Sequence, residues 1–146
     1  MVPKRSAGFT LLEMILVMGI ITIIMAVSVP LYASLSNRNQ LQVSVSLLAQ
    51  DLYQAQANSR AQLNDSAWGV AFNGQTITLF QGNSYASRSS SQDVNYVVPS
   101  AIKMSGDSQV VYSRLYGLPT ATANFSLSGA GQTMPLAVNS KGMVEY

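Results

Sequence analysis

The amino-acid sequence predicts an α+β fold in which one long N-terminal helix packs on an antiparallel β-sheet domain. Three observations lead to this fold class. An apolar run near the N-terminus is long enough to cross a membrane, a single amphipathic stripe follows it, and beyond residue 64 apolar residues alternate with period two. Because side chains repeat every 3.6 residues in a helix and every two in a strand, the change of period marks the change of structure.

Charge is distributed unevenly along the chain. Charged residues make up 10% of the 146 residues, and the mean hydropathy is +0.21, whereas a soluble domain usually carries about 25% charged residues. The pI of about 9.0 comes from Lys4 and Arg5, because the chain after residue 8 has six basic and six acidic residues. That balance argues against a nucleic-acid partner, since such partners need clustered basic residues.

The sequence offers no recognisable set of catalytic residues. It contains no histidine and no cysteine, which excludes a Ser-His-Asp or Cys-His arrangement. The acidic residues are scattered, and Gly129-Ala130-Gly131 lacks the further glycine of a phosphate-binding loop. We therefore expect neither an enzyme nor a bound cofactor or metal.

The N-terminal segment divides into a short basic leader, residues 1–8, and an apolar span, residues 9–29. The span carries one charge, Glu13. At ~1.5 Å per residue, a helix over these 21 residues measures about 30 Å, the hydrocarbon thickness of a bilayer. Since Lys4 and Arg5 precede the span, the positive-inside rule predicts a single pass with the N-terminus in the cytoplasm.

A second, amphipathic half of the helix is predicted at residues 30–62, with the helix ending at about Arg60. Pro30 removes one helical hydrogen bond and can kink the helix without ending it. Beyond it, apolar residues recur at three- and four-residue steps, at Leu35, Leu41, Val45, Leu48, Leu52 and Ala55. We interpret this stripe as packing against the following domain; a groove for a partner is the alternative.

Residues 63–146 are predicted to form the antiparallel β-domain. The expected strands are 68–72, 76–80, 94–98, 109–115, 122–128, 133–138 and 142–146. Asn73-Gly74 predicts a tight hairpin between the first two, with φ > 0 at both residues. Residues 83–92 are predicted to be a polar surface loop with a solvated Arg88.

The aromatic residues of this domain have two interpretations. We expect three of them in the core, namely Trp68, Phe72 and Phe80. Three tyrosines are expected to be structural or, where exposed, to serve adhesion, namely Tyr85, Tyr112 and Tyr116.

The junction between leader and span is the most informative segment. A secretory signal is cut after its apolar stretch, whereas here the small residue Gly8 stands before it. A carboxylate within a span costs at least ~2.5 kcal/mol at the centre and less near the edge, so Glu13 is expected to be paired or functional. A new amine at Phe9 could neutralise Glu13 within one chain or between staggered neighbours, which would set the register of helix against helix.

The run Gly8-Phe9-Thr10-Leu11-Leu12-Glu13, the apolar stretch after it and Pro30 resemble the N-terminal signature of type IV pilins and pseudopilins. The resemblance implies that a prepilin peptidase cuts between Gly8 and Phe9 and methylates the Phe9 amine. It assigns subunit registration to Glu13 and a kink or melted section to Pro30. It also implies other pilin subunits as partners, an inner-membrane assembly platform, and transfer from the cytoplasmic membrane to an extracytoplasmic filament at the cell surface or in the periplasm.

Two C-terminal segments, residues 110–117 and 136–144, resemble the paired β-motifs of GspH/FimT-like minor pseudopilins. This resemblance implies a minor subunit of a pilus or of a type II secretion pseudopilus. The chain departs from DNA-binding members, which have a basic C-terminus, because it ends in Glu145-Tyr146. It also departs from the many major pilins that close a C-terminal loop with a disulfide, because it has no cysteine.

Other interpretations of the sequence remain open. Residues 9–29 could be a plain single-pass anchor with Glu13 hydrated at the interface, or a signal peptide cut near Ser28, because Ala26-Val27-Ser28 resembles a signal-peptidase site. The functional alternative to a structural subunit is a membrane-tethered pilin-like binding protein for DNA uptake or adhesion. Salt-sensitive retention on DNA would favour that alternative.

Overall fold

The computed structural model describes residues 8–146, apart from the side chain of Pro30, so most of the predicted leader lies outside the described residues. The chain forms two compact units, Met1–Ser36 and Asn37–Tyr146. Helix α1 (Leu11–Arg60) begins in the first unit and ends in the second, which also contains eight strands. The predicted α+β class, with one long N-terminal helix and antiparallel sheets, is confirmed.

Helix α1 starts two residues later than the predicted span and ends at the predicted residue. Its start at Leu11 follows from Thr10, whose Oγ1 accepts a hydrogen bond from Glu13 N at 3.2 Å and so caps the helix. Residue 30 lies within the helix, and the kink assigned to Pro30 remains a prediction. Soon after Arg60, Gln62 adopts the left-handed conformation with φ +53°, which is incompatible with continued α-helix.

The strands form two four-stranded antiparallel sheets. They are β1 (Trp68–Asn73), β2 (Thr76–Gln81), β3 (Val94–Val97), β4 (Lys103–Gly106), β5 (Gln109–Tyr112), β6 (Ala123–Gly129), β7 (Gln132–Val138) and β8 (Val144–Glu145). The first sheet has the order β3-β2-β1-β5 and the second has the order β4-β6-β7-β8.

Seven strands correspond to predicted ones, and β4 does not. The residues of β4 lie at the edge of the second sheet and are mostly exposed, so they lack the apolar alternation that identifies a half-buried strand. β5 ends at Tyr112 instead of residue 115, because the chain turns back and Gly117 N donates to Ser113 O at 2.9 Å.

The first hairpin forms where the sequence predicts it, but its turn is shifted by one residue. Asn73 pairs with Thr76, so the central residues are Gly74 and Gln75. Of these only Gly74 has a positive φ, +62°, and a positive φ confined to the first central residue is typical of a type II′ turn. The prediction of φ > 0 at Asn73 is therefore wrong, because Asn73 ends the strand instead of entering the turn.

One core joins the second half of α1 to both sheets. The helix contributes five buried residues of the predicted stripe, Leu41, Val45, Leu48, Leu52 and Ala55. Leu35 is 52% exposed and belongs to the first unit, so the buried stripe begins at Leu41. Phe72 and Phe125 connect the two sheets, with their rings edge to face and centroids 4.7 Å apart. From Leu41 onward the stripe packs within the chain, as predicted.

The first sheet carries a second, smaller core on its other face. It consists of Ala67, Ala71, Phe80 and Val111, against which Tyr85 packs. The Phe80 ring lies across Gly69, where a Cβ would stand 2.7 Å from Phe80 Cζ. Because Tyr85 belongs to the predicted polar loop, this loop lies against the sheet through Tyr85, while most of its other residues are exposed, as predicted.

Candidate functional site

The first candidate site is the junction that precedes α1. Gly8, Phe9 and Thr10 are exposed and have no regular secondary structure, and Phe9 is 79% exposed. A Cβ at Gly8 would meet no atom within 4 Å, so packing among the described residues does not require glycine there. A requirement for a small residue at this position would therefore come from a partner.

Thr10 forms the N-cap of α1. Its carbonyl oxygen accepts the first helical hydrogen bond, from Met14 N at 3.2 Å, and its Oγ1 accepts from Glu13 N at 3.2 Å. These two bonds define an N-cap residue. Thr10 was not among the predicted site residues, although Thr-x-x-Glu before an apolar run is the signature of a capping box.

Glu13 lies in the first turn of α1 and is exposed. Among the described residues, its carboxylate has no hydrogen-bond or ion-pair partner. The positive end of the helix dipole favours a negative charge at this position but does not neutralise it. In apolar surroundings the carboxylate would therefore need a partner of opposite charge.

The surface of the predicted span is apolar and exposed. From Phe9 to Val29, the large apolar side chains are 45–79% exposed. The hydroxyls of Thr22 and Ser28 donate to Met18 O and Ile24 O, each at 2.8 Å, so these polar groups are satisfied within the helix. By length and composition this helix is able to cross a membrane.

In the second unit, polar contacts surround the C-terminal end of α1; we name Gln56, Ser59 and Arg60 the helix-end clamp. Ser59 Oγ donates to Tyr112 O at 3.1 Å and accepts from Trp68 N at 2.9 Å. Ser59 is fully buried, and its hydroxyl therefore satisfies two backbone groups at the end of the β1–β5 ladder that water does not reach.

The other two clamp residues hold the turn after β5. Gln56 Nε2 donates to Gly117 O at 3.0 Å, and Arg60 Nε donates to Tyr116 O at 3.2 Å. Gly142 approaches the same place, since a Cβ on it would stand 2.2 Å from Gln56 Nε2 and 3.3 Å from Gly117 O. The segments 110–117 and 136–144 therefore meet at Gln56, while their strands belong to different sheets.

Tyr112 is unavailable for adhesion. Its exposed fraction is 0%, its hydroxyl has no hydrogen-bond partner among the described residues, and burial raises its pKa above the ordinary value. Tyr116, in contrast, is 68% exposed. Of the two, only Tyr116 presents its side chain to solvent.

Arg88 is less free than expected for a solvated side chain, because it is 25% exposed and also makes specific contacts. Arg88 Nε donates to Asp93 Oδ2 at 2.7 Å and Nη1 donates to Tyr85 O at 2.9 Å. The guanidinium carbon lies 3.8 Å from the centroid of the Tyr85 ring. The hydrogen bond to Asp93, a side chain only 7% exposed, raises the pKa of Arg88. Arg88 thus fastens the loop onto the outer face of the first sheet.

A comparison with known protein families finds a match that includes the N-terminal junction. Residues 3–29 match the family model described as the prokaryotic N-terminal methylation motif. No significant match is found among curated proteins or among solved structures. The motif supports a type IV pilin-like or pseudopilin subunit that is processed by a prepilin peptidase and assembles with other pilins. Together with the apolar helix it indicates a membrane-anchored protein with a single span.

The matched region contains three of the four residues assigned from the sequence and ends just before the fourth. Gly8, Phe9 and Glu13 fall within it, and Pro30 follows directly. The resemblance of residues 110–117 and 136–144 to GspH/FimT-like pseudopilins is not confirmed by any match. What the structure adds for these two segments is their common contact with Gln56.

Proposed function

We propose that this chain is the precursor of a structural subunit of a type IV filament, as a minor pilin or a pseudopilin. Prepilin peptidase cuts between Gly8 and Phe9 and methylates the new amine. The inner-membrane assembly platform then transfers the subunit into a pilus or a type II secretion pseudopilus. The observation that carries this proposal is the methylation motif at residues 3–29, which includes an exposed, non-helical Gly8-Phe9 junction.

Glu13 registers each subunit against its neighbours in this proposal. Its carboxylate is exposed and unpaired among the described residues, and cleavage supplies an amine of opposite charge at Phe9. Between packed apolar helices the attraction of the two charges is strong. A helix in the wrong register would bury the carboxylate without a partner, which is strongly unfavourable.

The apolar part of α1 is suited both to lipid and to a bundle of identical helices. Apart from the carbonyl opposite Pro30, the backbone groups in the interior of this helix are hydrogen-bonded within it, so they need no partner in either environment. Repeated head-to-tail contacts between identical subunits produce a helical filament. We assign to Pro30 a kink or a local melting of the helix, because its missing N–H leaves the carbonyl of Ala26 without a helical donor.

The precursor takes its orientation in the membrane before it is assembled into a filament. The leader holds Lys4 and Arg5, and residues 9–29 contain no basic residue, so the N-terminus stays in the cytoplasm and the β-domain is exported. Prepilin peptidase then meets the Gly8-Phe9 bond at the cytoplasmic face of the membrane. Mature subunits end in an extracytoplasmic filament, at the cell surface or in the periplasm.

Mass spectrometry of the N-terminus tests this function. The full chain is produced in bacterial membranes with and without a prepilin peptidase, and the mature protein is expected to begin at methylated Phe9 only when the peptidase is present. Gly8→Val should block cleavage. Gly19→Val is the matched control, because a Cβ meets no atom within 4 Å at either glycine. A mature protein that begins at Met1 or near Ser28 would contradict the proposal.

Filament assembly tests the role of Glu13 separately. Glu13→Ala should be processed like the wild type but should yield few filaments in electron micrographs of sheared material. Met14→Ala serves as the control, since Met14 is a half-exposed neighbour without a charge. Wild-type filament yield from Glu13→Ala would contradict the registration role while leaving the cleavage result intact.

A further inference from the structure

The cap of α1 bears on how the scissile bond is presented to the peptidase. We propose that Thr10 is a positioning residue. As the N-cap it makes the helix start after the Gly8-Phe9 peptide bond, and so it keeps that bond accessible for leader removal. This inference rests on the proposed function, because it concerns the reaction of the precursor with prepilin peptidase.

Two hydrogen bonds place the helix boundary at Thr10. Thr10 O accepts the first helical bond from Met14 N, and Thr10 Oγ1 accepts from Glu13 N, each at 3.2 Å. An N-cap residue has non-helical backbone angles, and its side chain satisfies a donor that the helix leaves free. As a result Gly8, Phe9 and Thr10 have no helical structure and are exposed.

The position of this boundary matters for the chemistry of the Gly8-Phe9 bond. If the helix extended to residue 8, the Gly8 carbonyl would accept a hydrogen bond from Leu12 N and would be enclosed by the next turn. A peptidase has to reach that carbonyl and the Phe9 nitrogen. A helix that begins at Leu11 leaves both groups free of helical hydrogen bonds.

The cap also separates the roles of the two polar residues of the motif. Thr10 Oγ1 is bonded to the backbone nitrogen of Glu13, and the Glu13 carboxylate takes no part in the cap. Replacing the Glu13 side chain therefore leaves the cap in place, in agreement with the expectation that Glu13→Ala is still processed. Loss of the Thr10 hydroxyl, in contrast, acts on cleavage before any filament forms.

A substitution series at Thr10 tests the inference on the full-length precursor in membranes. Thr10→Val keeps the shape but removes the hydroxyl, and N-cap loss of this kind lowers the ratio of capped to uncapped chains by about five-fold. We expect KM for leader removal to rise, by at most about five-fold, with kcat unchanged, since fewer precursors present an open junction. Thr10→Ser and Thr10→Asn, which are good N-caps, should keep the wild-type KM.

Thr22→Val is the matched control, because the Thr22 hydroxyl bonds Met18 O inside the same helix and caps nothing. Hydrogen exchange of the Leu12 amide should slow in Thr10→Val, because a helix that extends over the junction bonds Leu12 N to Gly8 O. Wild-type kinetics in Thr10→Val, or an equal defect in Thr10→Asn, would overturn the role of the cap. A wild-type precursor that is not cleaved at all would instead refute the proposed function.

Discussion

Gly142 is a position where one added methyl group should weaken the helix-end clamp. It has φ +79°, in the left-handed region that favours glycine, and a Cβ there would stand 2.2 Å from Gln56 Nε2. Gln56 Nε2 is the end of a flexible side chain, so it can move away. In moving, it loses its 3.0 Å hydrogen bond to Gly117 O.

The loss of stability expected for Gly142→Ala has two parts. Alanine in the left-handed region costs about 1–2 kcal/mol relative to glycine, and the lost hydrogen bond costs about 1 kcal/mol more. Gly131 separates the two parts, because it has φ +73° but a Cβ there would meet nothing within 4 Å. Gly131→Ala should therefore lower the free energy of unfolding by the backbone cost alone, and Gly142→Ala by about 1 kcal/mol more.

Urea unfolding of the full chain in detergent, followed by tryptophan fluorescence, measures these differences. Trp68 is the only tryptophan and is 4% exposed, so its emission reports the folding of the second unit. In a Gln56→Ala background the conflict with Gln56 is absent and only the 3.3 Å approach to Gly117 O remains, so Gly142→Ala should cost little more than Gly131→Ala. Strictly additive losses in the Gln56–Gly142 double-mutant cycle would refute the reasoning.

Three further predictions use the same unfolding assay. Ser59→Ala should lower the free energy of unfolding by about 2 kcal/mol, because two backbone groups lose their partner; Ser44→Ala, equally buried but bonded only to a carbonyl of its own helix, should cost much less. Arg88→Met should lower the urea midpoint more than Arg114→Met, since the carboxylate partner of Arg88 is buried and that of Arg114 is exposed; equal midpoints would contradict this. Burial raises the pKa of Asp51 from 3.8 to about 6, so the folded state binds the proton more tightly and stability should fall as pH rises from about 4 to about 6. Asp51→Asn should remove that slope and raise stability at pH 7 by about 1 kcal/mol, less than the full shift implies because Asp51 is partly exposed; an unchanged slope would count against this assignment.

Sequence patterns predicted the helix and most of the strands because each is encoded by residues close together in the chain. The end of α1 at Arg60 and the strands β1, β2, β6 and β7 follow the apolar periodicity within one or two residues. β4 was not predicted, because an exposed edge strand lacks the alternation of apolar and polar residues that identifies a strand in the sequence. The hairpin turn was misplaced by one residue because Gly74 followed by Gln75 satisfies a type II′ turn as well as Asn-Gly satisfies a type I′ turn.

The sequence by itself determined the match to the methylation motif over residues 3–29, a region that contains Gly8, Phe9, Glu13 and the apolar run. These features lie close together in the chain, so they can be recognised without knowledge of the fold. The tertiary structure alone decided the clamp at Gln56 and Ser59, whose partners are backbone carbonyls 61 and 53 residues away. Every non-proline residue carries the same backbone donor and acceptor, so nothing in the side-chain pattern identifies which distant carbonyl a buried hydroxyl or amide will meet.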